Sequence, residues 1–255
     1  MNRIHFKNFA AIALFSFAVQ SYSQQPRKIR IAAASDLKFA LDSVAAVFKK
    51  NNSGTVDITY GSSGKFFEQL SNGAPFDIFF SADISYPKQL QEKKLTLSEV
   101  YPYGVGQIVI WSKKIDPEKE GMKSLLQSSI KKIAIANPAH APYGKRAEEA
   151  LVYYKMLDAV KDKLVFGENI SQTAQFVTTG AADIGIVALS LALSPNMKKE
   201  NGKYFLIPES SHQPLVQGVV LLRQSEGKDL AKDFLEFVKS EKAAAILHYF
   251  GFAKP

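Results

Sequence analysis

The segment Ile29-Arg30-Ile31-Ala32-Ala33-Ala34-Ser35-Asp36 gives the clearest indication of the fold. Its first six residues predict a buried β-strand, and the apolar residues that follow it recur at helical spacing. A serine and an aspartate therefore lie where a strand gives way to a helix. Strand–helix units of this kind are typical of α/β proteins.

The same alternation of apolar strand and helix continues along the chain. Further strand candidates lie at residues 56–60, 77–80, 107–111, 132–136, 183–189 and 215–222. Most precede a helical pattern, which predicts an α/β fold of parallel strands with helices on both faces. The pattern is compatible with one large sheet. It is equally compatible with two lobes joined by the strands near residues 105–111 and 215–221.

Residues 1–23 have the pattern of an export signal. A basic segment with Arg3 and Lys7 precedes an apolar run over residues 9–19 that is too short to span a bilayer. Small residues follow, and they predict cleavage near Ser23. We therefore expect a periplasmic protein.

The composition excludes several classes of protein. The chain has 255 residues, 46% of them hydrophobic, which is enough for one or two cores. It has no cysteine, so disulfides, thiolate metal sites and a lipid-modified cysteine are excluded. The net charge of +8 comes from scattered lysines rather than from a basic stripe with aromatic residues. We therefore expect no nucleic-acid partner, and a monomer.

Polar residues are concentrated where predicted strands end. Serines and glycines follow the first two strands, and the Asn137–Gly144 and Asn169–Ser171 segments follow later ones. In open α/β sheets ligands bind beyond the carboxyl ends of the strands. Helix starts there offer free backbone N–H groups and a partial positive charge, so several of them can bind one anion. Each serine can equally be an ordinary helix cap, and Asp36 suits the start of its own helix.

Signals for catalysis are weak. Gly61-Ser62-Ser63-Gly64 lacks the spacing of a nucleophile elbow. No histidine outside the export signal pairs with another ligand at metal-binding spacing. We therefore expect a binding protein rather than an enzyme, with no cofactor. A periplasmic hydrolase that uses Ser63 remains the alternative from another class.

Five segments occur in an order that resembles the molybdate-binding proteins of molybdate ABC transporters. They are Ile-Ala-Ala-Ala-Ser-Asp-Leu, Tyr-Gly-Ser-Ser-Gly, Ala-Pro-Phe-Asp-Ile-Phe-Phe-Ser-Ala-Asp, Asn-Pro-Ala-His-Ala-Pro-Tyr-Gly and Gly-Ile-Val-Ala-Leu-Ser. The resemblance runs from Ile29 to Phe252 and implies a two-lobed periplasmic solute-binding fold of type II. That fold has mixed, mostly parallel sheets flanked by helices and a ligand cleft at the hinge. The implied lobes are residues 24–105 with 220–255, and residues 106–219.

The resemblance also implies the site. Ser35 and Ser63 match hydroxyl donors of the first lobe, and Tyr143 and Ile170 match backbone N–H donors of the second. Some relatives carry a tyrosine donor where this chain has Ala188. The phenol of Tyr143 or a water molecule could replace it, and we favour the phenol.

The implied ligand is molybdate or tungstate, transported rather than held as a cofactor. Molybdenum enters only as part of the oxyanion, whose oxygen atoms the site would contact. The implied partner is the permease of an ABC importer in the inner membrane. Another small oxyanion such as sulfate, or the sensor domain of a regulator, is an alternative.

Overall fold

The computed structural model describes residues 27–255. The predicted export signal over residues 1–23 lies outside the described residues. Within residues 27–255, no helix combines the length and the apolar character needed to cross a membrane.

Ten strands in this part of the chain form two sheets of five. They are β1 (Lys28–Ala34), β2 (Thr55–Gly61), β3 (Ile78–Ser81), β4 (Tyr101–Gly106), β5 (Ile108–Ser112), β6 (Ile133–Ala136), β7 (Leu164–Gly167), β8 (Ile184–Ala188), β9 (Lys203–Leu206) and β10 (Leu215–Leu221). The first sheet has the order β2-β1-β3-β10-β4, and the second has the order β7-β6-β8-β5-β9.

Helices cover the sheets. They are α1 (Lys38–Phe48), α2 (Ser63–Ser71), α3 (Ser85–Glu92), α4 (Pro142–Tyr153), α5 (Leu157–Val160), α6 (Ile170–Thr178), α7 (Leu189–Ala192), α8 (Pro195–Lys199), α9 (Asp229–Val238) and α10 (Glu241–Tyr249). Short 3-10 helices lie at Ser35–Leu37, Gly121–Leu126, Lys161–Lys163, Glu209–Ser211 and Arg223–Ser225.

The two sheets share one plan. In the first, β1 is parallel to β2 and β3, and β10 is antiparallel to β3 and β4. In the second, β6 is parallel to β7 and β8, and β5 is antiparallel to β8 and β9. The predicted mixed sheets are confirmed. The antiparallel share is larger than expected, because the strands that cross between the sheets run against their neighbours.

Strand β1 shows why the first sheet needs helices on both faces. Ile31 and Ala33 pack into a cluster with residues of α1, α9 and α10. Ala32 packs on the opposite face with Phe66 and Phe79. Side chains alternate across a strand, so an uninterrupted apolar run is buried on both sides. Each large apolar side chain buried in this way contributes about 1.5–3 kcal/mol.

Two connections join the sheets. Gln107 alone separates β4 from β5, and residues 207–214 separate β9 from β10. The predicted lobe boundary at 219/220 falls inside β10, which pairs with the first sheet from Leu215 onward. We therefore propose that the first lobe comprises residues 27–106 and 215–255.

Candidate functional site

The strand ends of both lobes meet at one cavity. Ser35 follows β1, and Ser63 is the first residue of α2 after β2. Tyr143 lies in the first turn of α4 after β6, and Ile170 is the first residue of α6 after β7. All four residues line the same cavity, so the geometry brings together the residues that the sequence suggested.

The cavity is small and uncharged apart from one carboxyl group. It has ≈ 200 Å³ of space between atoms, part of it open to solvent. The other residues that line it are Ala34, Asp36, Gly61, Ser62, Ala82, Ala141, Pro142 and Asn169. No lysine, arginine or histidine is among these lining residues. An anion held here would therefore be bound by hydroxyl and backbone N–H groups.

Two helix starts present free backbone donors. None of the described residues accepts a hydrogen bond from the backbone N–H of Tyr143 or of Ile170. The side chain of Asn169 caps α6 by accepting from the N–H of Gln172 at 3.0 Å, which leaves the N–H of Ile170 to the cavity. Such groups at a helix start attract anions.

The two serines are used differently. The Ser63 hydroxyl oxygen accepts from the N–H of Ala82 at 3.0 Å, and its proton has no acceptor among the described residues. The Ser35 hydroxyl donates to Oδ1 of Asn169 at 3.1 Å and accepts from the N–H of Ser171 at 3.2 Å. Ser63 is therefore the freer donor, and an anion would compete with Asn169 for the Ser35 proton.

The start of α2 binds a carbonyl group of the other lobe. The hydroxyl of Ser62 and the N–H of Gly64 both donate to the carbonyl oxygen of His140, the latter at 3.0 Å. The approach is close: a Cβ atom on Gly64 would lie 2.6 Å from that oxygen. Glycine at this position therefore permits the contact between the lobes.

Charged groups also span the cleft. Lys65 of the first lobe pairs with Glu168 of the second, whose carboxylate also lies 3.7 Å from Nε2 of His140. The pKa of Glu168 is lowered, chiefly by the hydrogen bond from Lys65. Arg146 of α4 lies 3.6 Å from Asp83. The Lys65–Glu168 pair is exposed and contributes little to stability, whereas Arg146 is buried where it faces Asp83.

A buried polar network lies behind the cavity. Oδ2 of Asp36 accepts from the hydroxyl of Tyr143 at 2.9 Å and from Nε2 of Gln217 at 2.8 Å. Asp36 is only 1% exposed. Burial raises the pKa of Asp36 to about 6, although the hydrogen bonds from Gln217 and Tyr143 and the nearby backbone N–H groups of Asp36 and Leu37 oppose the rise.

The prediction that the phenol of Tyr143 replaces the missing tyrosine donor is wrong. The Tyr143 side chain is 2% exposed, and its one hydroxyl proton goes to Asp36. Burial, followed by the neighbouring Asp36 carboxyl, raises the pKa of the Tyr143 phenol well above its ordinary value. Ala188, at the end of β8, is fully buried and offers no side-chain donor.

Replacing Tyr143 by phenylalanine is expected to reduce stability. The change removes the donor to Asp36 and leaves a buried carboxyl with one partner fewer. A hydrogen bond to a charged group contributes about 1.5–3 kcal/mol, and the free energy of unfolding should fall by that amount. Urea denaturation at pH 7 measures it. Tyr153→Phe, an exposed change in the same helix, is the control, and equal stability of both variants would contradict the buried hydrogen bond.

Sequence reasoning missed the partners of this network. Gln217 is the one amide in the otherwise apolar strand β10, and it is fully buried. Tyr103 donates to its Oε1 atom at 2.6 Å. A lone glutamine in a buried strand needs a hydrogen-bond partner for its amide. This residue could therefore have indicated a buried polar network from the sequence.

Two α/β lobes, joined by two crossings and enclosing a cavity lined by helix starts, define a two-lobed solute-binding protein. The predicted α/β fold class is thereby confirmed. The chain belongs to the bacterial extracellular solute-binding proteins, whose family match covers residues 29–253. It is a binding protein and not an enzyme, as the sequence predicted.

Named relatives refine the comparison. The chain is 35% identical over 211 residues to the molybdate-binding protein ModA of Rhodobacter capsulatus, which covers 82% of this chain and 81% of the relative. It is 31% identical over 229 residues to the ModA of Azotobacter vinelandii, covering 89% and 90%. The predicted family resemblance is confirmed.

Solved structures share the fold. The periplasmic molybdate-binding protein of Azotobacter vinelandii matches with a TM-score of 0.84 at 31% identity, over 89% of this chain and 99% of that one. The sulfate-binding protein SubI of Mycobacterium tuberculosis matches with a TM-score of 0.71 at 13% identity, over 88% and 86% of the two chains. The second likeness shows the fold alone.

Proposed function

We propose that this protein captures molybdate or tungstate in the periplasm and delivers it to the permease of an ABC importer in the inner membrane. The observation that carries the proposal is the cavity between the lobes, where hydroxyl and backbone N–H groups converge without any cationic side chain. The names of the relatives at 31–35% identity support the choice of ligand.

The donors suit a fully deprotonated tetrahedral oxyanion. Ser63 offers a free hydroxyl proton from the first lobe, and Tyr143 and Ile170 offer backbone N–H groups from the second. An anion that accepts from both lobes at once favours the closed arrangement over the open one. Molybdate and tungstate share charge and shape, so we expect both to bind.

A hydrolase function is not favoured by the side chains near the serines. The ring of His140 lies 3.1 Å from the Ser62 hydroxyl oxygen rather than from Ser63. The Ser62 proton is donated to the His140 carbonyl, so the imidazole is not positioned to receive it. Ser63 contacts a backbone N–H instead of a base.

Calorimetric titration with molybdate, tungstate, sulfate and phosphate tests the proposal. Molybdate and tungstate are expected to bind with one site per chain, and sulfate and phosphate at least tenfold more weakly. Ligand at about 100 times its Kd should add about 2.7 kcal/mol to the free energy of unfolding. Preferential binding of sulfate would identify sulfate, rather than molybdate, as the ligand. The absence of binding by all four anions would refute the oxyanion function.

A further inference from the structure

The two oxygen atoms of the Asp36 carboxyl group have different surroundings. Oδ2 accepts from Tyr143 and Gln217, as described above. Oδ1 is buried and makes no hydrogen bond of normal geometry with the described residues, although the backbone N–H groups of Asp36 and Leu37 lie near the carboxyl group. Asp36 also lines the cavity beside Ser35 and Ser63. An unpartnered buried oxygen at a binding cavity needs an explanation, because such groups cost free energy.

In the structure, both side chains that contact Oδ2 donate to it. The hydroxyl of Tyr103 donates to Oε1 of Gln217, so Nε2 of that amide faces Asp36 and Tyr143. The opposite amide orientation would place Oε1 against Oδ2 and against a phenol oxygen whose proton is already donated. Oδ2 therefore faces two donors in this arrangement, whereas Oδ1 has no such partner, so Oδ1 is the oxygen open to a proton.

An anion in the cavity would favour that proton. Two negative groups close together in a site of low dielectric repel strongly, and none of the residues lining this cavity carries a positive charge. The titratable groups that face Asp36 are Tyr143 on α4 and Tyr103 on β4, both phenols with raised pKa values. The neighbouring elements α6, α7 and β10 contain no titratable side chain, and α1 contributes Lys38 and Asp42, whose side chains are exposed.

We propose that the site binds its oxyanion together with one proton, held on Oδ1 of Asp36 and donated to an oxygen atom of the anion. Asp36 is then a specificity-determining residue that supplies the side-chain donor absent at position 188. The step is a simple protonation: the carboxylate takes a proton from solvent as the dianion binds and returns it when the anion leaves. The inference rests on the proposed oxyanion function.

Proton uptake has a measurable consequence. Above the pKa of Asp36, each pH unit should weaken molybdate binding about tenfold, because one proton is taken up per anion. Between pH 7 and pH 8.5 the Kd should rise about 30-fold, while molybdate itself remains a dianion. Titrations at pH 7.5 in HEPES and in Tris, whose ionisation enthalpies differ, should report close to one proton taken up.

The variant Asp36→Asn separates this proposal from a purely structural role. Its amide N–H can replace the Oδ1 proton, and its amide oxygen can still accept from Tyr143 and Gln217. The variant should bind molybdate with no pH slope, take up no proton, and bind more tightly than the parent protein at pH 8.5. Asp57→Asn, an exposed change on β2, should keep the parent slope.

Two results would overturn the inference. One is molybdate binding by the parent protein without a pH slope or proton uptake. The other is a folded Asp36→Asn variant that keeps the parent slope. The buffer comparison uses the parent protein alone and therefore decides the matter even if the variant does not fold. If the parent protein binds none of the four oxyanions at any pH, the proposed function itself has failed.

Discussion

Replacing Gly64 by alanine is expected to weaken molybdate binding about a hundredfold without unfolding the protein. The new Cβ would lie 2.6 Å from the His140 carbonyl oxygen and 3.0 Å from its Cα, both on the other lobe. The lobes could then not approach fully, and the anion would lose the N–H groups of Tyr143 and Ile170. Two hydrogen bonds to a charged ligand contribute about 3 kcal/mol or more together, which is a factor of at least about 100 in Kd.

The control is Gln69→Ala, an exposed change in the same helix. Both variants introduce an alanine into α2, and alanine favours the helix in each case. A lower affinity of Gly64→Ala alone therefore cannot result from a loss of helix propensity. Calorimetry gives the affinity, and small-angle scattering with molybdate reports whether the lobes close. A Gly64→Ala variant that binds like Gln69→Ala would show that the His140 contact does not control closure.

Replacing Ser63 by alanine is expected to weaken molybdate binding between about tenfold and 100-fold. Its hydroxyl proton has no protein acceptor among the described residues, so the anion would receive it outright. A hydrogen bond to a charged group contributes about 1.5–3 kcal/mol. Ser35→Ala should have a smaller effect, because the Ser35 proton already goes to Asn169.

Titration calorimetry of both serine variants measures this order. Ser43→Ala is the control, since that serine donates to the backbone of α1 and does not line the cavity. If Ser63→Ala binds molybdate with the affinity of the parent protein, Ser63 does not contact the anion and serves only at the start of α2. A larger loss in Ser35→Ala than in Ser63→Ala would show that the anion displaces Asn169 as the acceptor.

The central strands were predictable because they are buried on both faces. The runs at 29–34, 107–111 and 183–189 each contain a single polar residue and are otherwise apolar, and the structure has β1, β5 and β8 there. Strands β7 and β9 have four residues each, lie at the edges of the second sheet and are half exposed, so they lack the longer buried run that marks the central strands. Sequence separation explains the rest: nothing local indicates that residue 215 pairs with residue 106.

The cavity was partly predictable for the same reason. Ser35, Ser63, Tyr143 and Ile170 are marked by strand ends, and the fold brings them together. The buried contacts of the site were not predictable from these signals. The Tyr143 phenol pairs with Asp36 from the other lobe, a partner 107 positions away, so its direction depends on tertiary packing.

The contacts across the cleft also affect the rate at which the ligand dissociates. The hydrogen bond from Gly64 of α2 to the His140 carbonyl and the Lys65–Glu168 pair connect the two lobes directly. Both contacts must therefore break before an anion enclosed between the lobes can leave. The free energy needed to break these contacts therefore lowers the dissociation rate and lengthens the residence time of the ligand. Under the proposed function, the permease that accepts the loaded protein has to supply the work of separating these groups. Release would then be fast at the transporter and slow in free solution.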